Sequence, residues 1–225
     1  MKHGPVRKVR SNGFTVVGEV STAKAQNVQF ESSLEEGFIL ILNFDPDVVT
    51  IKDQPIRIPY TNADGITSWY TPDFLVHYKN RKPVLFEVKT LAYLRKYRKE
   101  LKARFDAAIQ FAKERGWDFC VITDKEILTQ YVENLSFLLG FQTNEPTLAI
   151  VNRLLTSLGK PGKWTPQLVL ELATSDVEKL DSLTCLWVLV IKDRVKCNLK
   201  KKLLMNTRVS IKANTGSNFL RFPYK

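Results

Sequence analysis

Three residues in the segment TPDFLVHYKNRKPVLFEVK have the types that phosphate chemistry uses: Asp73, Glu87 and Lys89. Glu87 and Lys89 are two apart, so on a strand they share one face, while Phe86 and Val88 turn to the other, into a core. Asp73 follows Pro72 on the preceding apolar run. Carboxylates can hold a metal ion. A lysine can position or deprotonate a water and offset charge that develops on a phosphate. These are the parts needed for metal-assisted phosphodiester hydrolysis. A lone Glu-x-Lys on a strand is ordinarily a cross-strand ion pair on a solvated face. The combination P-D-x(13)-E-V-K, on two adjacent apolar strands with a long helix behind it, favours the metal reading over that one.

Glu35 is a further candidate carboxylate. Ser32-x-x-Glu35 is also a capping box, and Ser33-x-x-Glu36 is a second one, so a cap and a metal ligand are both open for Glu35. It lies beside a buried stripe, with Ile39 and Leu42 at i+4 and i+7, which turns it toward the sheet. The run RKYRKELKAR after the motif carries six basic residues and one acidic one. Its Arg95, Lys96, Arg98, Lys99 and Lys102 are candidates for gripping DNA phosphates, against the plainer reading of a solvated helix face.

The elements that must position these groups can be read from periodicity. Residues 33–43 predict a helix with Leu34, Phe38, Ile41 and Leu42 on its buried stripe, stopped at FDPDV. VVTIKDQPIRIPY alternates like a strand interrupted at Pro55, and NADG is a turn. SWYTPDFLVHY and VLFEVKT are strands joined by KNRKP, which stands Asp73 opposite Glu87. Residues 91–116 predict one long amphipathic helix ending at Gly116. WDFCVITD predicts a parallel strand buried on both faces, and KEILTQYVENLSFLLGF a further helix. The order is α/β. Helices at 148–158, 166–173 and 177–191, followed by a basic strand or hairpin, suggest a winged-helix-like module.

The chain has 225 residues and a net charge of +11, which suggests a polyanionic partner, nucleic acid first. Up to Glu145 there are 20 Lys and Arg against 18 Asp and Glu; from Pro146 there are 14 against 5. The basic excess thus lies in the last part, where Lys200 to Lys202 suit a DNA backbone or an acidic protein. Three domains are expected: a basic, mostly irregular arm over 1–29 with one extended stretch (Phe14 to Val20), a catalytic domain over 30–145, and a basic domain over 146–225. The cysteines Cys120, Cys185 and Cys197 are odd in number and scattered, which argues for a reducing compartment. No secretory signal or bilayer-length apolar run is visible, so a cytoplasmic protein without a membrane partner is expected. His3, His77 and the three scattered cysteines cannot make a zinc site of usual spacing, so any metal must be held by oxygen: Mg²⁺, Mn²⁺ or Ca²⁺. No phosphate-binding GxxxxGK[ST] loop is present, so the chain is not expected to hydrolyse ATP itself.

The ordered series SSLEEGF, FDPDV, DQPIRI, YTPDFLV, FEVK and VITDKEI, over roughly residues 30–128, resembles the TnsA family, the endonuclease subunits of heteromeric transposases. The resemblance implies a restriction-endonuclease-like α/β fold and a bacterial, nucleoid-associated setting. It implies cleavage by a helix Glu, a strand Asp and a [QE]-x-K pair around two Mg²⁺ ions. These fall on Glu35, Asp73, Glu87 and Lys89. On that reading Asp73, Glu87 and the Val88 carbonyl hold Mg²⁺, with Mn²⁺ able to substitute, Glu35 completes the shell and Lys89 positions the water. The implied substrate is double-stranded DNA at the 5′ ends of a transposon. The implied partners are a TnsB-like DDE transposase and a TnsC-like AAA+ ATPase. The rival readings are a stand-alone restriction or repair nuclease with the same site, and a non-catalytic basic DNA-binding adaptor.

Overall fold

The computed structural model describes residues 18–22, 24–211 and 219. The chain divides into two compact units, with the break between Leu128 and Thr129. The change in charge near residue 145 therefore falls inside the second unit. No described helix is long and apolar enough to cross a membrane.

The first unit begins with β1 (Gly18–Thr22) paired antiparallel with β2 (Ala25–Phe30). Gly18–Val20 of β1 fall in the expected extended stretch, whereas β2 replaces the irregular arm expected there: Val28 and Phe30 are buried, and apolar burial fixes a strand that composition alone reads as a tail. The arm's residues before 18, with the start of its extended stretch, lie outside the described residues. Helix α1 (Ser33–Phe44) follows, capped by Ser32, whose hydroxyl accepts the Glu35 N–H. Every residue from Gly37 to Phe44 is buried.

A four-stranded sheet is built from β3 (Val48–Asp53), β6 (Phe74–Tyr78), β7 (Val84–Val88) and β8 (Asp118–Ile122), in that spatial order. The first three are antiparallel and β8 runs parallel to β7. Between β3 and β6 the chain forms a separate hairpin, β4 (Ile58–Thr61) and β5 (Thr67–Tyr70). Its turn is closed by Asn62, whose side chain accepts the Asp64 and Ile66 N–H groups, with Gly65 at φ 77°. Then come α2 (Leu91–Lys96), α3 (Arg98–Glu114) and, after β8, α4 (Asp124–Ile127).

Strand alternation sends the two sets of sheet side chains to opposite layers. Phe74 and Phe86 meet Phe38 of α1, at ring separations of 5.9 and 4.9 Å. On the other face Leu75 and Leu85 pack with Ala108 and Ala112 of α3 and with Ile58 and Tyr70 of the hairpin. The unit is an α1–sheet–α3 sandwich with the β4–β5 hairpin held against α3.

Two helices expected as continuous are interrupted. The helix over 91–116 breaks at Tyr97 (φ −107°, ψ 24°), although Tyr97 N–H still reaches the Tyr93 carbonyl and Leu101 N–H the Tyr97 carbonyl. The backbone ladder persists on both sides, so sequence periodicity sees one helix. Gly116, at φ 68°, ends α3 as its position predicts. The helix expected over 125–141 stops at Ile127 and restarts as α5 (Gln130–Leu139), because Thr129 caps a new start by accepting the Val132 N–H. Strand β8 was expected to be buried on both faces. It is the edge strand, and only Ile122 is fully buried in it.

The second unit contains α5, α6 (Leu148–Leu158), α7 (Pro166–Leu170) and α8 (Asp176–Ile191). Leu135, Leu138, Leu154, Val169, Leu186 and Val190 form its core. The strand or hairpin expected after α8 is reduced to β9 (Val195–Lys196) and β10 (Ser210–Ile211), two residues each. The stretch between them is an irregular loop tied to α5. Asn134, only 4% exposed, donates to the Leu199 and Lys201 carbonyls and accepts the Leu203 N–H. Side-chain bonds to Asn134 satisfy backbone groups that a longer ladder would have paired.

Candidate active site

Strand pairing brings the first two acids together. Phe74 is opposite Phe86 at the end of the β6–β7 ladder, so Asp73 and Glu87 flank that pair on facing chains. Asp73 sits just before β6, and its carboxylate accepts the Val88 N–H at 2.7 Å. Its carbonyl accepts the Gln54 N–H at 2.8 Å. Gln54 holds φ 39°, a strained value for a residue that precedes proline, and its side chain donates to Glu31. The bend at Asp53–Pro55 is thereby tied to the backbone that presents Asp73.

Glu87 is 4% exposed. Its Oε2 accepts a hydrogen bond from the Tyr70 hydroxyl at 2.6 Å. Lys89 reaches back over the same face. Its Nζ lies 3.1 Å from Asp73 Oδ2, 3.0 Å from Glu87 Oε1 and 3.0 Å from the Val88 carbonyl oxygen. Glu35 enters from the first turn of α1. Its Oε1 accepts from the Ser32 hydroxyl at 3.0 Å and its Oε2 from the Glu31 N–H at 2.7 Å. Glu35 is therefore part of the helix cap and also lines the same cavity as Asp73, Glu87 and Lys89.

That cavity is about 560 Å³ and is also lined by Glu31, Gln54, Arg57, Trp69, Tyr70 and Arg104. Its lining sets Glu31, Glu35, Asp73 and Glu87 against Arg57, Lys89 and Arg104, and at its centre Asp73 and Glu87 meet the Lys89 ammonium. Burial, followed by the charge of Asp73, pushes both Glu35 and Glu87 up to about 7. Burial also raises Asp73, against the pull of Lys89 and the Val88 N–H. Burial works against the Lys89 charge too, but Asp73 and Glu87 outweigh it and hold the amine protonated, well above the usual lysine value. Burial and the neighbouring Glu87 likewise raise Tyr70, which stays a donor.

Among the described residues no three carboxylate, histidine or cysteine side chains stand close enough to hold a metal ion as they are placed. The Lys89 ammonium takes the position between Asp73 and Glu87. The donors nevertheless suit a hard cation, since two carboxylate oxygens and one carbonyl oxygen already converge on a single positive atom. With the excess of carboxylates around it, the residues fit a divalent ion that would replace the Lys89 head group.

The five basic residues Arg95, Lys96, Arg98, Lys99 and Lys102 lie exposed on α2 and α3, and none lines the acidic cavity. Lys102 is paired with Asp106 one turn on, and Lys96 lies over the Tyr97 ring. The cations that do line the cavity besides Lys89 are Arg57, which sequence reasoning did not single out, and Arg104, the last basic residue of the RKYRKELKAR run. Tyr70 was also missed as a functional group. Its place three residues before Asp73 was visible, but its partner Glu87 depends on how the β4–β5 hairpin is seated.

A mixed α/β sheet that presents an Asp, a Glu and a Lys at the end of two neighbouring strands fits a restriction-endonuclease-like domain. Residues 45–124 match the family model described as TnsA-like endonuclease N terminal, so the chain carries a TnsA-like N-terminal endonuclease domain, consistent with a TnsA-family protein. The matched stretch includes Asp73, Glu87 and Lys89; Glu35 and the second unit lie outside it. No curated protein matches the sequence.

Proposed function

We propose that this chain is the Mg²⁺-dependent DNA endonuclease subunit of a transposase, cutting the strands at the 5′ ends of a transposon. The TnsA-like endonuclease domain supports a nuclease role in transposition. The observation that carries the chemistry is the meeting of Asp73, Glu87 and the Val88 carbonyl on the Lys89 ammonium. In this reading a TnsB-like DDE transposase cuts the other strands and a TnsC-like AAA+ ATPase regulates the assembly. The basic second unit, with helices α5 to α8 and a short antiparallel pair after them, serves as a winged-helix-like module for those encounters.

Asp73, Glu87 and the Val88 carbonyl would hold Mg²⁺, joined by Glu35, and Mn²⁺ could substitute. The ion would supply Lewis-acid charge to the phosphate and a more acidic water. The protein's own groups prepare for this. The Val88 N–H fixes the Asp73 carboxylate, and Tyr70 holds Glu87 by one oxygen while the other faces the cation position. Lys89 stays protonated, so its part is to stabilise negative charge on the phosphate and to orient water, not to remove a proton.

The test is cleavage of a plasmid bearing transposon ends, with Mg²⁺, by the chain alone and with its two partner proteins. Nicks at the 5′ ends only with partners, abolished by Asp73→Ala or Lys89→Ala, are the expected result. Robust cutting by the chain alone would identify a stand-alone nuclease. DNA binding with no cutting in any combination would leave a DNA-binding adaptor.

A further inference from the structure

A phosphodiester that enters this cavity meets Glu31, Glu35, Asp73 and Glu87. Repulsion from four carboxylates must be offset at the rim, and among the lining residues the cations are Arg57, Lys89 and Arg104. Lys89 is engaged inside. Arg104, on α3, donates to the Tyr60 hydroxyl at 3.1 Å and lies over the Tyr60 ring. Arg57 differs from both. It is exposed, and its guanidinium carbon lies 5.1 Å from the centre of the Trp69 ring. Among the described residues no carboxylate lies within ion-pair distance of it.

The hairpin explains this arrangement. Pro59 is paired with Trp69 across β4 and β5, and Arg57 is two residues before Pro59, so Arg57 and Trp69 share a face. The opposite face carries Ile58, Tyr60 and Tyr70, which pack against α3. Trp69 is therefore turned outward and is 55% exposed, although it is a large aromatic in a chain with a well-formed core. A guanidinium stacked on a ring uses its flat face and leaves its in-plane N–H donors free for a phosphate. The ring beside it offers an apolar platform for a sugar or base. Tyr70, the next residue after Trp69, anchors the hairpin to Glu87.

We infer that Arg57 and Trp69 form a DNA-strand contact on the rim of the carboxylate cavity, with Arg57 gripping a phosphate beside the scissile one and Trp69 packing on the adjoining nucleotide. This rests on the nuclease reading for its substrate, but it concerns binding and can be tested apart from cleavage.

The experiment uses the full chain, a fluorescein-labelled random-sequence duplex and EDTA, so that no strand is cut. Anisotropy gives affinity across a salt series, and the difference in tryptophan quenching between wild type and Trp69→Phe isolates Trp69 among the four tryptophans. Arg57→Ala should weaken binding about tenfold and reduce the slope of log affinity against log salt by about one. Trp69→Ala should also lose about tenfold, while Trp69→Phe keeps most of the affinity but loses the quenching caused by DNA. Melting temperatures of all three should match the wild type, since both side chains are exposed. Unchanged affinity, slope and quenching in the variants overturns the inference, as does a wild-type chain that binds no DNA, or a loss of affinity that tracks a fall in melting temperature. If Arg57 and Trp69 matter for binding while Asp73→Ala still cuts normally in the assembled complex, this contact stands and the assignment of the catalytic site fails.

Discussion

The cavity of the first unit and the lysine loop of the second handle charge in opposite ways. In the cavity few charges are buried, close together and strongly perturbed: Glu35 and Glu87 are both raised to about 7 around one protonated Lys89. In the loop, Lys200, Lys201 and Lys202 are all exposed and lie on a backbone that Asn134 pins from below. Up to Glu145 the chain carries 20 basic and 18 acidic residues, and beyond it 14 and 5. Net charge thus follows the exposed loop, and it is nearly silent about the buried carboxylate cavity. Chemistry is marked by a small set of charges whose surroundings make them costly to ionise.

The largest effect that can break this contrast is loss of the central charges. Asp73→Ala or Lys89→Ala should lower end cleavage in the assembled complex by about a hundredfold or more, with duplex binding kept. Wild-type rates of strand nicking in either variant would remove the cavity from the mechanism. Tyr70→Phe should come next, with cleavage down about tenfold, because Glu87 loses the hydroxyl that orients it. Its pH–rate profile should move to higher pH, since that hydroxyl also favours the ionised carboxylate. A tenfold loss with an unmoved profile would reduce Tyr70 to a packing residue.

The perturbed acids also predict how stability follows pH in the metal-free chain. Glu35 and Glu87 have folded values near 7 and ordinary values of 4.5. For an acid that is raised on folding, the stabilising contribution is fully present below the unfolded value and is lost as pH rises through the folded one. Urea unfolding should therefore show the metal-free chain less stable at pH 8 than at pH 5, and Asp73→Ala should flatten that slope. Stability that rises over the same interval would contradict the burial of these charges. The smallest effect belongs to the loop. Changing Lys200, Lys201 and Lys202 together to Ala should leave the melting temperature unmoved and reduce the salt slope of DNA binding by at most about three. A fall in melting temperature would show that the loop is part of the packed fold after all.

How much of this could be read from residues alone depended on the range of the interaction. Strand alternation and a short connection were enough to place Asp73 opposite Glu87 and to put Lys89 on the same face. The helix at Ser33–Phe44 and the stop at Gly116 followed from caps and periodicity. Glu35 stayed ambiguous because it does two things at once: it accepts the Ser32 hydroxyl in the cap and lines the cavity. Arg57, Trp69 and Tyr70 were not singled out, since they reach the site through the seating of the β4–β5 hairpin on α3. That packing has no local sequence signature. The breaks at Tyr97 and Leu128 were hidden for a different reason: apolar spacing runs across both, and the second is set by a new cap at Thr129.

The position of Lys89 bears on how the protein matures. A fold that needs a metal ion to close its site collapses when the ion is withheld. Here the chain brings its own counter-ion, so the first unit can be made, stored and delivered in working shape before any metal arrives. On the proposed Mg²⁺ reading, loading would be ion exchange on a finished scaffold. A chelator should silence such a protein without unfolding it, and metal supply would act as a control on timing and not on the amount of folded protein.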